Sequence, residues 1–361
     1  MADRIITTVL GDIKEDRLGV ASMQDHIMYD GRAEALRLRK NLPQSKLPIG
    51  ENDKVSLENV GILHRNAMLA WDAFLQADES AMEREVSLFK KAGGDSILDV
   101  SVIGNRIGTC AGISRKTGVN VIASTGFSSS DSWPESLLGL EIGDFLGIML
   151  REIEEGIEGS TVKPGHLHID MAVYGGDEEK ALRAAARAQA LTGLSLSVSP
   201  ADFSKSPEIL NIIKEEGASL SRVLIGSATF ARKPSFARVI RHPQEYGVCI
   251  ESAKAVLDAG ANIAKPFENT MGFELAGDYD AGDWAEMSGL AALVNQGYAR
   301  QIVLGNNCRG AIMLHNSGGE GFCRLMYYSI PMLRNAAGIS DYAIRQMTEL
   351  NPARILSRAL N

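Results

Sequence analysis

The segment VKPGHLHIDMAVY, residues 162–174, carries side chains capable of chemistry on an otherwise apolar, strand-like run. His166 and His168 are two residues apart, and Asp170 follows. Since side chains alternate between the two faces of a strand, both histidines point to the same face. Imidazole groups bind metals and exchange protons near neutral pH. The pattern therefore indicates a metal site, a general-base site or a polar barrel interior.

The elements around this segment follow a repeated order of helix, glycine and strand. Nearly continuous apolar strands separated by helices predict a parallel sheet covered by helices. About eight such units in 361 residues favour a (β/α)8 TIM barrel, with residues 1–361 as one domain, a short N-terminal extension and C-terminal helices. No GxGxxG motif follows a predicted strand, which argues against dinucleotide binding. Besides the first strand, which ends near residue 26, the predicted strands are 96–102, 119–125, 166–172, 194–199, 222–227, 262–267 and 301–306.

Composition narrows the class of partner. The chain has 37 Lys and Arg against 45 Asp and Glu, a net charge of −8, and no basic block, which argues against nucleic acid. It has no apolar run near the roughly 20 residues that cross a bilayer, and its start does not resemble a signal peptide. Its four cysteines form no CxxC pair. We expect a cytoplasmic protein with reduced thiols that binds a small molecule and could form a homodimer.

The functional groups of a parallel barrel lie at the C-terminal ends of its strands. From the predicted strands, those ends carry a set of mostly uncharged polar residues. The set includes Gln24 and His26, His168 to Asp170, Ser199, Ser227, Lys265 to Glu268, and Asn306 with Asn307. A barrel mouth seldom gathers so many polar groups for packing alone, so the set predicts a small-molecule site.

Motifs along nearly the whole chain resemble the phosphotriesterase-like branch of the amidohydrolase superfamily. They include TVLGDI (8–13), FKKAGGDSILDVSVIGNRI (89–107), RVLIGS (222–227), GYARQIVLGNN (297–307) and NPARIL (351–356). The resemblance implies the barrel fold and, in active members, two divalent metals. Their ligands are a His-x-His pair on strand 1, a carboxylated lysine on strand 4, histidines on strands 5 and 6, and an aspartate on strand 8. That aspartate also accepts a proton from the bridging hydroxide.

Five of the six ligand positions implied by the resemblance hold a different residue in this chain. In chain order the six positions are Gln24, His26, His168, Ser199, Ser227 and Asn307. All of these side chains are neutral, whereas two close cations need anionic ligands to offset their charge. Asn307 also cannot accept the hydroxide proton. We therefore expect the two-metal hydrolysis of the family not to carry over.

The interpretation favoured by these substitutions is an enzyme for a small polar molecule, with His26, His168 and Asn307 as catalytic groups. We expect His168 to face the pocket opposite His26, and His166 to be an interior residue with a buried hydrogen-bond partner. The resemblance implies a hydrolase, although lyase or isomerase chemistry would suit such a site equally well. The predicted substrate contacts are Gln24, Ser199, Ser227, Asn306, Glu268 and Lys265.

Two alternatives remain open from the sequence. In the first, His26 and His168 hold one divalent metal, with zinc the expected ion, and the protein hydrolyses a lactone, ester or amide bond. In the second, the barrel keeps its pocket and only binds a small molecule, as a pseudoenzyme. Otherwise we expect no cofactor.

Overall fold

A computed structural model describes residues 4–40, 47–102, 106–232, 241–245, 247–267, 272 and 283–359. Its central element is one sheet of eight parallel strands that are hydrogen-bonded in chain order from β1 to β8. The strands are β1 (Ala21–Asp25), β2 (Ser96–Asp99), β3 (Asn120–Phe127), β4 (His166–Met171), β5 (Ser195–Pro200), β6 (Val223–Ile225), β7 (Asn262–Pro266) and β8 (Ile302–Gly305).

The sheet closes on itself where β1 meets the end of β8. The backbone N–H of Asn307 donates to the carbonyl of Gln24 at 2.8 Å, and the N–H of His26 donates to the carbonyl of Cys308 at 3.0 Å. Gly305 allows this approach, because a Cβ there would lie 2.2 Å from the carbonyl oxygen of Met23. The predicted (β/α)8 barrel is confirmed.

Helices alternate with the strands and cover the outside of the barrel. Their ends follow ordinary capping chemistry: Asp78 accepts the N–H of Ala81 at one helix start, and Gly193 ends another helix in the left-handed region with φ 68°. The described α-helices are α1 (Arg32–Arg39), α2 (Val60–Leu63), α3 (Glu79–Lys91), α4 (Ile107–Thr117), α5 (Ile142–Glu155), α6 (Gly176–Thr192), α7 (Ser206–Glu215), α8 (Glu251–Asp258), α9 (Asp283–Asn295), α10 (Ile330–Asn335), α11 (Asp341–Arg345) and α12 (Asn351–Leu356). Within the described residues, every helix is too short or too polar to cross a membrane.

Short antiparallel strands complete the architecture. The strand Arg4–Thr8 pairs with Gly11–Lys14 and with Arg358–Ala359. It lies under the N-terminal end of the barrel, where the N–H of Val9 bonds the carbonyl of Val121 in β3. The strand Tyr29–Asp30 pairs with Leu75–Gln76. Ala231–Arg232 pairs with Gly247–Val248.

The barrel interior is apolar on one side and polar on the other. Most of the strands contribute small and aliphatic interior residues, namely Ala21, Met23, Leu98, Ile122, Leu224, Ala264 and Val303. On β4 and β5 the aliphatic residues Leu167, Ile169, Leu196 and Val198 instead belong to the large outer core shared with the helices. By strand alternation the histidines of β4 and the serines of β5 therefore face the interior.

Candidate active site at the barrel mouth

A bulge at the end of β1 places the amide of Gln24 across the barrel mouth. Gln24 has φ 89°, and the register with β2 shifts between Met23 and Asp25. Its Nε2 donates to Ser227 Oγ at 2.9 Å and to Ser199 Oγ at 3.3 Å, and its Oε1 accepts the N–H of Ser227 at 2.9 Å. The ends of β1, β5 and β6 are thus joined by side chains at three of the positions where the family resemblance implies metal ligands.

His26 is a buried, neutral imidazole beside this amide. Its Nδ1 lies 3.1 Å from Ser101 Oγ, a side-chain hydrogen bond joins it to Asn307, and its ring centroid is 4.2 Å from that of Tyr29. Burial lowers the pKa of His26 to about 3, although the negative charge of Asp170 opposes the shift. His26 is therefore uncharged at neutral pH, and it can exchange hydrogen bonds but cannot supply positive charge.

His168 and Asp170 form a pair on the interior face of β4. His168 Nε2 lies 3.0 Å from Asp170 Oδ1, and its Nδ1 lies 2.7 Å from Ser197 Oγ. The two side chains are 1% and 26% exposed, so Asp170 is the member of the pair that can meet a substrate. Burial alone would raise the pKa of Asp170, but the interaction with His168 and the positive charge of Arg309 outweigh it and bring the pKa below its ordinary value. Asp170 is thus an ionised carboxylate.

Tyr29 and Arg309 are neighbours of this pair that the sequence did not indicate. Burial raises the pKa of Tyr29, and the negative charges of Glu34 and Asp170 add to the shift, so its hydroxyl keeps its proton. Arg309 Nη1 lies 2.6 Å and 2.5 Å from the two carboxylate oxygens of Glu34 on α1. Both residues come just after a strand end, three residues beyond His26 and two beyond Asn307, and that position was the available signal.

Asn306 and Lys265 are both used inside the protein. The amide of Asn306 donates to Ser22 Oγ and to the carbonyl of Phe322, each at 3.1 Å, and accepts the N–H of Leu325 at 2.8 Å. This geometry is that of a structural residue, because both amide atoms are occupied away from the mouth. Asn306 as a substrate contact is thus disfavoured.

Lys265 lies in a buried ion pair, with its ammonium 2.7 Å from Glu286 and 2.9 Å from the carbonyl of Ala228. A substrate would have to compete with that carboxylate for the ammonium group. Glu268, the last predicted substrate contact, lies outside the described residues.

His166 is buried one layer below His168. Its Nδ1 lies 2.7 Å from Ser195 Oγ and its Nε2 lies 2.7 Å from Ser197 Oγ. Burial lowers its pKa well below the ordinary value, so the ring is neutral. The predicted interior position with a buried hydrogen-bond partner is confirmed.

The side chains at the mouth do not fit the two-metal centre implied by the family. Across the described ranges, no three His, Cys, Asp or Glu residues are grouped so that they could hold a metal ion. The amide of Gln24 bonds both Ser199 and Ser227, and both ring nitrogens of His168 have partners. A single metal on His168 would have to displace Asp170 or Ser197. The catalytic roles of His26, His168 and Asn307 stay predictions.

A closed parallel barrel with polar groups at its C-terminal mouth defines a (β/α)8 barrel protein. The chain belongs to the phosphotriesterase family, whose profile matches residues 4–356. It is 25% identical to an N-acetyltaurine hydrolase of Dictyostelium discoideum, over 99% of each chain. It is also 26% identical to the phosphotriesterase homology protein of Escherichia coli strain K12, over 67% of this chain and 76% of that one.

Solved structures share the fold. A resiniferatoxin-binding protein from Rhodobacter sphaeroides superposes with a TM-score of 0.85 and 25% identity, covering 98% of this chain and 94% of that one. The lactonase Lmo2620 from Listeria monocytogenes superposes with a TM-score of 0.72 at 19% identity, covering 98% of each chain, a likeness that shows the fold alone.

Proposed function

We propose that this protein is an enzyme that acts on a small polar molecule at the barrel mouth by acid–base chemistry, without the two-metal centre of its family. The observation that supports this most directly is the Asp170 carboxylate. It is ionised, partly exposed and held by the buried His168. A positioned carboxylate of this kind can accept a proton from water or from a substrate hydroxyl.

The groups around Asp170 complement a reaction at a carbonyl. Tyr29 offers an O–H that stays protonated, and Arg309 brings a cation that Glu34 holds in place. Donors of this type stabilise an oxygen that gains negative charge in the transition state. Hydrolysis of an amide or ester bond is the favoured reaction, because relatives over nearly the whole chain are named N-acetyltaurine hydrolases. His26 and Asn307 would orient the substrate or its water.

The test is a hydrolysis panel of N-acetyltaurine, other N-acyl amino acids, lactones and phosphotriesters, with protein that has been treated with chelator. We expect turnover of an amide or ester that survives the chelator, and no metal-dependent phosphotriesterase or lactonase activity. Asp170→Asn should lower kcat by about 10²–10⁴-fold, the usual contribution of a general base. Asp258→Asn, on the outside of the barrel, is the control. Activity that needs added metal, or full activity of Asp170→Asn, would refute the proposal.

A second candidate function is binding of a small molecule without turnover. The amide of Gln24 already bonds two serines at the mouth, and a structural neighbour is named as a binding protein. In this case calorimetry would detect a ligand from the same panel, with no product formed. The Asp170→Asn variant would then bind that ligand, and no decrease in turnover could be measured because the wild type forms no product.

A further inference from the structure

Five side chains of β4 and β5 form a continuous hydrogen-bonded chain inside the barrel. In order along this series of hydrogen bonds, they are Ser195, His166, Ser197, His168 and Asp170. The three contacts among the serines and histidines are each 2.7 Å, and the last, from His168 to Asp170, is 3.0 Å. The first four members are buried, so water does not replace the three bonds among them.

The register of the two strands builds this chain. His166 lies opposite Ser195, His168 opposite Ser197 and Asp170 opposite Ser199 in the parallel pairing. Alternation sends all of these side chains to the interior, and the outward neighbours Leu167 and Val198 are packed in the core. Hydrogen-bonded side chains carried by two rigid strands keep their distances better than side chains carried by loops.

The ionised end of the chain, together with a neutral His168 ring, sets the direction of every hydrogen bond in it. An ionised carboxylate only accepts, so His168 donates from Nε2 to Asp170, and the Nδ1 of a neutral ring then accepts. Ser197 has one proton and gives it to that Nδ1, so Ser197 must accept from Nε2 of His166. Nδ1 of His166 then accepts the proton of Ser195. The reverse direction would require either a protonated Asp170 or a doubly protonated His168 whose Nδ1 donates to Ser197.

We infer that this chain holds His168 in the Nε2–H tautomer and thereby orients Asp170 towards the mouth. Ser197, His166 and Ser195 are positioning residues that act through His168, and they touch no substrate. The inference rests on the proposed function only in taking Asp170 as the proton acceptor of the reaction. Nothing in the family resemblance assigns a role to Ser195, Ser197 or His166.

The direct test is nitrogen NMR of the histidine rings in the intact, uniformly ¹⁵N-labelled protein near neutral pH, where the two tautomers have distinct shifts. We expect both His166 and His168 as Nε2–H in the wild type. Asp170→Ala removes the acceptor that sets the direction, and bonds to charged groups are about twice as strong as neutral ones. The Nε2–H preference of His166 should then fall by about fivefold or more, although Asp170 does not touch that ring.

Ser197→Ala tests whether the effect passes through the chain. In that background Asp170→Ala should leave the tautomer ratio of His166 unchanged. Ser124→Ala is the matched control, since Ser124 is an equally buried serine on β3 whose hydroxyl donates to the carbonyl of Asp99 at 2.7 Å. In the Ser124→Ala background, Asp170→Ala should still lower the Nε2–H preference of His166. If Ser197→Ala does not fold, the wild-type and Asp170→Ala spectra still decide the direction.

An Nδ1–H ring at either histidine in the wild type, or a His166 ratio that ignores Asp170→Ala, would overturn the inference. With an active substrate, Ser197→Ala should lower kcat while KM stays within about twofold, since Ser197 contacts His168 and not the mouth. The tautomer measurement needs no substrate. Full turnover by Asp170→Asn would therefore refute the proposed function and leave the measured hydrogen-bond direction intact. An Nδ1–H ring in the wild type, with turnover lost in Asp170→Asn, would refute this inference and leave the proposed function intact.

Discussion

Replacing His166 by leucine measures what the buried hydrogen bonds of the barrel interior contribute to stability. The imidazole is fully buried and bonds Ser195 and Ser197, each at 2.7 Å. His166→Leu removes both bonds. Ser197 keeps its bond to His168, but the hydroxyl of Ser195 loses the imidazole of His166 in a place that water does not reach.

The expected cost follows from these contacts. Two neutral hydrogen bonds contribute about 1 kcal/mol each, and a buried hydroxyl left unsatisfied costs about 1–3 kcal/mol more. Burial of the leucine side chain returns roughly 1.5–3 kcal/mol of this. These ranges combine to a net loss of roughly 0–3.5 kcal/mol in the free energy of unfolding, with a midpoint of about 2 kcal/mol. It is measured from urea transitions near neutral pH with the slope m unchanged.

A double-mutant cycle separates the hydrogen bond from simple repacking. In the His166→Leu background, Ser195→Ala should recover about 1 kcal/mol, because it removes the unsatisfied hydroxyl. In the wild-type background the same Ser195→Ala change should destabilise, because it leaves Nδ1 of His166 without its donor. Additive effects of the two substitutions would show that the bond to Ser195 contributes nothing.

Two further predictions concern metal content and pH. Elemental analysis of the purified protein should find fewer than two stoichiometric divalent ions, because the six ligand positions carry no anionic side chain; two per chain would contradict the reasoning. Burial raises the pKa of Asp25 from 3.8 to about 7, so the folded state prefers the protonated acid and stability falls as pH rises between these values. Asp25→Asn should remove up to about 4 kcal/mol of this pH dependence in urea unfolding from pH 4 to pH 8, and an unchanged profile would refute it.

The strands were predictable because their signal is local. Apolar runs bounded by glycine predicted β4 at 166–172 and β5 at 194–199, and the structure has His166–Met171 and Ser195–Pro200. Alternation along β4 also predicted that His166 and His168 share the interior. Burial does not distinguish the two histidines, since both are hidden from solvent. They differ in the partner of Nε2, which is the hydroxyl of Ser197 for His166 and the carboxylate of Asp170 for His168.

The site was less predictable because it depends on a bulge and on loops. Simple alternation turns Asp25 towards the helices. The Asp25 carboxylate accepts the N–H of Cys308 at 2.9 Å and bonds Ser22, whose side chain alternates with those of the interior Ala21 and Met23. The bulge, with φ 89° at Gln24, instead turns the amide of Gln24 across the mouth to Ser199 and Ser227. Tyr29 and Arg309 interact with the charge of Asp170 from the segments that follow β1 and β8, and no periodic pattern encodes the path of such a connecting segment. The sequence therefore identified the groups on the strands but missed those brought in from outside them.

The changed ligand positions fit together in a way that decay would not produce. Random loss of metal ligands would leave buried polar atoms without partners, each at a cost of about 1–3 kcal/mol. Among the described residues, the side chains of Gln24, Ser199 and Ser227 satisfy one another, and none of them has a buried polar atom without a partner. Gly226 leaves the room that this arrangement requires, because a Cβ would come within 2.9 Å of Gln24 Oε1. The neutral mouth is thus a built hydrogen-bond network, and Asp170 remains beside it as an ionised carboxylate.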